Sequence, residues 1–256
     1  MSFLNKLGIG VGAGAGAGAR RDAPITMGGS ARPRSNTPAP VAAVGAARAP
    51  ELRESNRVSN GLKEFLWNLD GLGRGTLLDL GPAWQTTLSF FIERGFRVSS
   101  EDLLRAWKDF LVEEEGKLRE ATGRAAQHTL DVTPAARAAR FLEANLQYPN
   151  SSFDAVLLWD VLDYLEPVVC KQMVANLTEL LRPGGVVFAM FHSKKPAGFQ
   201  RYRVVDSTTL QVISSPVLCP AQRVYQNREI QDLFGRYRTM KSFVGRDQLR
   251  ESLFIK

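Results

Sequence analysis

Residues 153–165 read Phe-Asp-Ala-Val-Leu-Leu-Trp-Asp-Val-Leu-Asp-Tyr-Leu, and this stretch decides the fold class. From Phe153 to Trp159 the run is apolar except at Asp154. That is the pattern of a strand covered on both faces, not of one that alternates between core and solvent. Such a strand needs helices above and below it, and the flanking residues supply them. Downstream, Pro167 opens a helix that turns Val169, Met173, Leu177 and Leu181 inward and stops at Arg182-Pro183-Gly184-Gly185. Val186 to Phe191 follows as another buried strand. Upstream, Thr133-Pro134 starts a helix that runs through Phe141-Leu142.

Further out, Leu62, Phe65, Leu66 and Leu69 are spaced as one face of an amphipathic helix, which Ser59 or Asn60 can cap. The compact run Thr76–Gly81 is a buried strand. Trp84, Leu88, Phe91 and Ile92 then fall at helical spacing, and Gly95 closes that helix. Phe96–Ser100 is a second strand, ending at Glu101-Asp102. This strand–helix–strand unit has the length a right-handed parallel crossover requires. Residues 103–125 form a charged helix with Leu103, Leu104, Trp107, Phe110 and Leu111 on its apolar face. Residues 228–234 are a short helix, and Thr239–Val244 and Leu249–Ile255 are closing strands. Only Gly245–Gln248 joins those two strands, so they pair antiparallel. The whole is an α/β doubly wound, mostly parallel sheet with an antiparallel ending.

Composition separates this part from an amino-terminal arm. Of the 256 residues, 1–60 hold eight Lys/Arg against three Asp/Glu, and 61–256 hold twenty-five against twenty-three. The net charge of +7 is therefore mostly on the arm. Gly, Ala and Pro supply 26 of its 60 positions, so it lacks the large side chains that offset ordering entropy. The expected organisation is a disordered Gly/Ala/Pro-rich basic arm over 1–60 and one domain over 61–256. The arginines of the arm could meet phosphates, but no aromatics are interleaved for base stacking, so nucleic acid is not the expected partner. Phe3–Ala19 is interrupted by Lys6 and diluted by six glycines, which makes it a poor membrane span. A secretory-leader reading, with Lys6 ahead and Ala17–Arg20 behind, suffers from the same weak apolar centre. The expectation is a soluble, cytoplasmic chain. Cys170 and Cys219 are far apart and in no C-x-x-C pattern, and His128 and His192 are the only histidines. Neither a disulfide scaffold nor a metal site is indicated.

Ligands of an open parallel sheet bind outside the carboxyl ends of its strands. Three ends can be named. Asp79-Leu80-Gly81-Pro82-Ala83 is a tight turn in which Gly81 permits close backbone approach. Glu101-Asp102 offers a carboxylate to both hydroxyls of a ribose. Trp159-Asp160 offers an aromatic wall, with Asp163 and Tyr164 one turn on. Together they outline a nucleoside-shaped pocket.

These motifs, in this order, resemble those of the class I S-adenosylmethionine-dependent methyltransferases, of the Rossmann-like type 11 kind, across about residues 62–256. Leu77–Gly81 is similar to the first motif, D-x-G-x-G-x-G. Val98–Asp102 is similar to the second, and Asn145–Pro149 leading into Ser152-Phe153-Asp154 to the adenine-side loop. Phe153–Leu165 is similar to the fourth motif, and Leu180–Gly185 to the turn that follows it. The resemblance implies a seven-stranded sheet with its last strand reversed, S-adenosylmethionine as cofactor, and methyl transfer to an unidentified acceptor. It implies that Asp79, Gly81, Pro82 and Ala83 place the methionine part and Asp102 takes the ribose. Asn145 and Leu146 would hold the adenine, and Trp159 and Asp160 would wall the methyl. In-line methyl transfer draws on proximity and alignment, so no residue is singled out as catalytic. The assignment requires the loop after the first strand to leave bare main chain for the adenosyl sulfonium. In the degenerate glycine motif, Ala83 and Gln85 stand where the family has its second and third glycines, and the glutamine is expected to crowd that backbone.

Plainer roles stand beside these. Asp79 could cap a helix, Trp159 could be core, and Asp163 and Tyr164 could be surface helix residues. Asp154 would serve structure. His192 is the one histidine placed to act as a base, and a satisfied loop residue otherwise. Ser193–Asn227, with a hairpin from Phe199 to Ile213 turning at Asp206–Thr209, is where acceptor choice would lie. Lys194, Lys195, Arg201, Arg203, Arg223 and Arg228 suit an anionic acceptor or a solvated charged face. The alternative function is a non-catalytic methyltransferase-like scaffold or interaction module with a decayed cofactor loop.

Overall fold

The computed structural model describes residues 54–123, 131 and 133–256. The arm over 1–53, His128 and the last two residues of the expected 103–125 helix lie outside these. Regular structure is already present before residue 61, where Glu54–Val58 is a strand, β1. It carries no apolar alternation. Pairing with the later strand Thr209–Ser215 holds it instead, together with Arg57, whose guanidinium forms ion pairs with Asp247 at 2.9 Å and the buried Glu251 at 2.8 Å.

The helix α1 (Asn60–Leu69) is capped by the Ser59 hydroxyl, which accepts from Leu62 N at 2.9 Å. Then come β2 (Gly75–Asp79), α2 (Gln85–Ile92), β3 (Phe96–Ser100) and α3 (Leu103–Gly123). The helix α4 (Pro134–Asn145) starts at Thr133, whose side chain caps Ala136 N, as the Thr-Pro signal predicts. After β4 (Phe153–Trp159) a 3-10 turn, Val161–Tyr164, leads to α5 (Pro167–Leu180) and β5 (Leu181–His192). The chain closes through β6 (Phe199–Val204), β7 (Thr209–Ser215), α6 (Asn227–Leu233), β8 (Thr239–Val244) and β9 (Leu249–Ile255).

The main sheet runs β3-β2-β4-β5-β9-β8. Its first four strands are parallel, and β9 is antiparallel to both its neighbours, so it is the reversed strand the short Gly245–Gln248 turn demands. Among the described residues the sheet has six strands, not the expected seven. The 199–213 hairpin does not extend it: β6 and β7 join β1 in a separate three-stranded sheet, order β1-β7-β6. One apolar cluster packs α3, α4, α5 and α6 against one face of the main sheet. The other packs α1, α2 and the hairpin against the opposite face. Two-sided cover of this kind is what the apolar run of β4, interrupted only at Asp154, predicts. Asp154 is structural, accepting from Thr76 N at 2.7 Å and pairing with Arg182 at 2.6 Å.

Candidate functional site

The carboxyl ends of β2 and β4 meet where the sequence places the site. Asp79 ends β2 and is 1% exposed. Its Oδ1 accepts from Gly81 N at 2.9 Å and from the indole Nε1 of Trp159 at 2.7 Å, and its Oδ2 is buried without a partner. Burial pushes the Asp79 carboxyl up to about 6, against the two hydrogen bonds that favour its charge.

Trp159 departs from regular strand geometry. Its φ is +53°, rare for a bulky side chain, and the β4–β5 register shifts between Leu157 and Trp159. An irregularity of this type re-aims a side chain. Here the indole lies over Gly81 so closely that a Cβ on that glycine would stand 2.7 Å from Nε1. The close backbone approach that Gly81 permits is thus taken by the protein's own tryptophan. Trp159 is 3% exposed and stacks on Tyr202 of β6, with ring centroids 6.0 Å apart and planes 12° apart.

The second carboxylate is engaged in the same way. Asp102 follows β3 and accepts two hydrogen bonds from Arg201 Nη2, at 2.9 and 3.2 Å, and a longer one from Arg105 N at the start of α3. Arg201 is 7% exposed although it belongs to a stretch with every sign of a solvated charged face. The strand that carries it is anchored on both sides. Val204 N donates to the buried Thr87 hydroxyl of α2 at 2.9 Å, and Tyr202 OH donates to Asp160 at 3.3 Å.

Gly81, Pro82, Trp159, Asp160, Val161, Arg201 and Tyr202 therefore enclose a cavity of only about 10 Å³. That is about the room one water requires, whereas small-ligand pockets span roughly 300–1,000 Å³. The residues present do not accommodate an adenosyl amino acid in this conformation. The expectation of bare main chain beside the first strand is overturned, and the obstacle is not the expected one. Gln85 is exposed and donates to Ser89 Oγ at 3.0 Å, well placed on α2, and Ala83 is exposed too.

Of the expected site residues, the structure brings Gly81, Pro82, Trp159 and Asp160 into one wall, with Asp79 and Asp102 each held by a side chain that belongs to it. Asn145 and Leu146 do not line it. Asn145 Nδ2 donates to Phe141 O at 2.8 Å, back along its own helix, and Leu146 is buried beside Leu142. The loop after α4 reaches the end of β3 through Tyr148, whose hydroxyl donates to Glu101 at 2.6 Å. Sequence reasoning missed Arg201 and Tyr202 as crevice residues. Their only signal is that Arg201 belongs to a basic stretch and Tyr202 to a hairpin.

Beyond Asp160 lies a polar cluster. Its Oδ2 also meets His192 Nε2 at 3.1 Å, and Asp163 Oδ2 accepts from His192 N at 2.7 Å. Asp163 and Tyr164 are buried, not surface residues, because the 3-10 turn folds them under β5. Burial pushes the Asp163 carboxyl up to about 7, against the hydrogen bond from His192 N. Burial disfavours a charged His192, but the hydrogen bond to Asp160 and the carboxylates of Asp160, Asp163 and Asp247 outweigh it and raise its pKa. No helix among the described residues is long and apolar enough to cross a membrane.

No protein-family model matches the sequence, and no curated protein matches it. Among solved structures the chain is similar to a 1,6-didemethyltoxoflavin-N1-methyltransferase of Burkholderia thailandensis, solved with 1,6-didemethyltoxoflavin and S-adenosylhomocysteine. Identity there is 17% and the TM-score 0.40, over 77% of this chain and 78% of that one. It is similar also to a SAM-dependent methyltransferase of Aquifex aeolicus, at 15% identity and TM-score 0.39, over 75% and 88% of the two chains. An S-adenosylmethionine-dependent methyltransferase of Mesorhizobium loti matches at 13% identity and TM-score 0.40, over 75% and 96%.

Proposed function

We propose that the crevice at the carboxyl ends of β2, β3 and β4 is an S-adenosylmethionine site held shut by the protein's own side chains. The reaction it serves is methyl transfer to an acceptor, available once β6 withdraws and the Trp159 indole leaves Gly81. The observation that carries this reading is the identity of the groups on the two carboxylates. Asp79 and Asp102 stand at the strand ends as the motif order requires, and each is engaged from within the crevice by a side-chain donor, Trp159 and Arg201 respectively. A side-chain donor can be exchanged for a ligand; a sheet hydrogen bond cannot. Giving up the charge-assisted hydrogen bonds of this partly buried pair costs about 2–3 kcal/mol. An opening cost of about 3 kcal/mol would weaken apparent ligand affinity on the order of 100-fold.

The reading makes a prediction of unusual sign. Removing an ordinary lining residue weakens binding, whereas Arg201→Ala is expected to tighten S-adenosylhomocysteine binding by roughly tenfold or more. Asp102→Ala in the same background abolishes it. Calorimetric titration of the full chain and both variants is the test. A second reading, a non-catalytic scaffold, is favoured by Trp159 lying against Gly81 where a ligand would lie. If neither the wild type, Arg201→Ala nor Trp159→Gly binds at millimolar ligand, the scaffold reading replaces the first.

A further inference from the structure

At the carboxyl end of β5 the molecule opens instead of closing. A cavity of about 470 Å³ lies there, between β1, the β5–β6 loop and the β8–β9 turn. This size falls within the range of small-molecule sites. Arg57, His192, Lys194, Lys195, Gln200 and Asp247 contribute to its wall. The charges on it are unevenly satisfied. Arg57 is paired with Asp247 and with Glu251 behind it. Lys194 and Lys195 are exposed and form no ion pair among the described residues. His192 is 8% exposed, and its ring is held from behind by Asp160 through Nε2. Nδ1 has no partner among the described residues, although the ring is part of the wall.

A fixed imidazole edge and two unpaired ammonium groups, lining one cavity of ligand size, make a site for negative charge. We propose that this cavity binds a small anionic molecule, carrying carboxylate or phosphate groups, through Lys194, Lys195 and His192. A solvated lysine pair alone would not account for the buried, oriented histidine beside it. Arg57 offsets only one of the two carboxylates it meets, Asp247 and Glu251, and Lys194 and Lys195 outweigh the other, so the wall keeps a net positive charge. The Asp160 and Asp163 carboxylates lie behind the imidazole, where they favour its protonated form, a donor at Nδ1. The inference does not rest on the adenosyl reading of the crevice. Asp160 and Tyr202 stand between the two regions.

The test is calorimetric titration of the full chain with inorganic phosphate and, separately, with citrate, at constant ionic strength set by chloride. Saturable one-site binding of either anion is expected, weakened roughly tenfold or more in Lys194→Ala/Lys195→Ala, a charge-assisted contact being worth about 1.5–3 kcal/mol. His192→Gln should weaken it as well, with an unchanged circular dichroism spectrum. Stronger binding of phosphate assigns a phosphorylated ligand, and stronger binding of citrate a polycarboxylate. No saturation by either anion at tens of millimolar, or binding that the double lysine variant leaves unchanged, overturns the proposal. S-adenosylhomocysteine enters neither titration, so failure here and failure of the crevice reading remain separate results.

Discussion

Two regions at the same end of one sheet have opposite fates. Over β2 and β4 the space amounts to about 10 Å³; beyond β5 it is about 470 Å³. Both lie where an open α/β sheet leaves its strand ends exposed, and Asp160, in the wall of the first, meets Tyr202 there through its Oδ2 and also His192, in the wall of the second. The difference lies in what the neighbouring hairpin carries. Facing the crevice, β6 presents Tyr202, which stacks on Trp159, and Arg201, whose charge is matched by Asp102. The loop before β6 presents Lys194 and Lys195, which find no carboxylate among the described residues. Architecture supplies the place for a site, and side-chain volume and charge pairing decide whether it is filled.

The contrast can be broken most forcefully at Trp159. Replacing a buried tryptophan by alanine should cost about 3–5 kcal/mol. Glycine ordinarily does worse than alanine, but at φ +53° the order should invert, with Trp159→Gly recovering about 1 kcal/mol. Urea unfolding of the two variants measures this; a less stable glycine variant would mean the backbone there is not strained. Arg201→Ala comes next. It should lower stability by about 2–3 kcal/mol, as expected for losing charged hydrogen bonds in a mostly buried pair, while tightening adenosyl ligand binding.

The pH dependence sharpens the polar side of the comparison. Asp163 titrates at about 7 and Asp79 at about 6, both raised by burial above the ordinary carboxylate value. A raised acid stabilises the fold while it alone keeps its proton. That contribution is complete below about pH 4 and is lost as pH climbs to about 6 for Asp79 and about 7 for Asp163. His192, also raised, adds loss above its ordinary value of 6.5. The thermal midpoint should therefore fall from pH 5 to pH 8. Asp163→Asn should flatten the fall by at most about 1.4 kcal/mol per pH unit between pH 4 and 7. An unchanged slope would show that Asp163 is ionised throughout. The smallest effect is expected at the open cavity, where Lys194→Ala/Lys195→Ala should change stability by less than about 0.5 kcal/mol. A larger loss would mean that these lysines hold the loop, not a ligand.

Much of this molecule was legible before any coordinates. The apolar run of β4, the Thr133-Pro134 start of α4, the Ser59 cap and the reversed β9 all follow from local chemistry, because periodicity, capping and turn length act over a few residues. The strand β1 did not, because its stability comes from β7 and from the Arg57–Glu251 pair, not from its own pattern. The site divides in the same way. Asp79, Gly81, Trp159 and Asp160 were legible as strand-end residues. The plug was not, since Arg201 and Asp102 are 99 positions apart and either could have faced water. Gln85 looked like the obstacle and proved harmless, because helical geometry carries its side chain outward to Ser89.

By itself, then, the order of apolar runs, caps and short turns determined a doubly wound α/β sheet and the end of it where a site belongs. Each of those signals reports a residue's relation to neighbours within one or two turns of chain. Only the tertiary structure decided that one strand-end region is closed and the other open. That outcome rests on where a bulged tryptophan, a distant hairpin and the loop leading into it come to lie, and contact between segments far apart in the chain leaves no mark on either one alone.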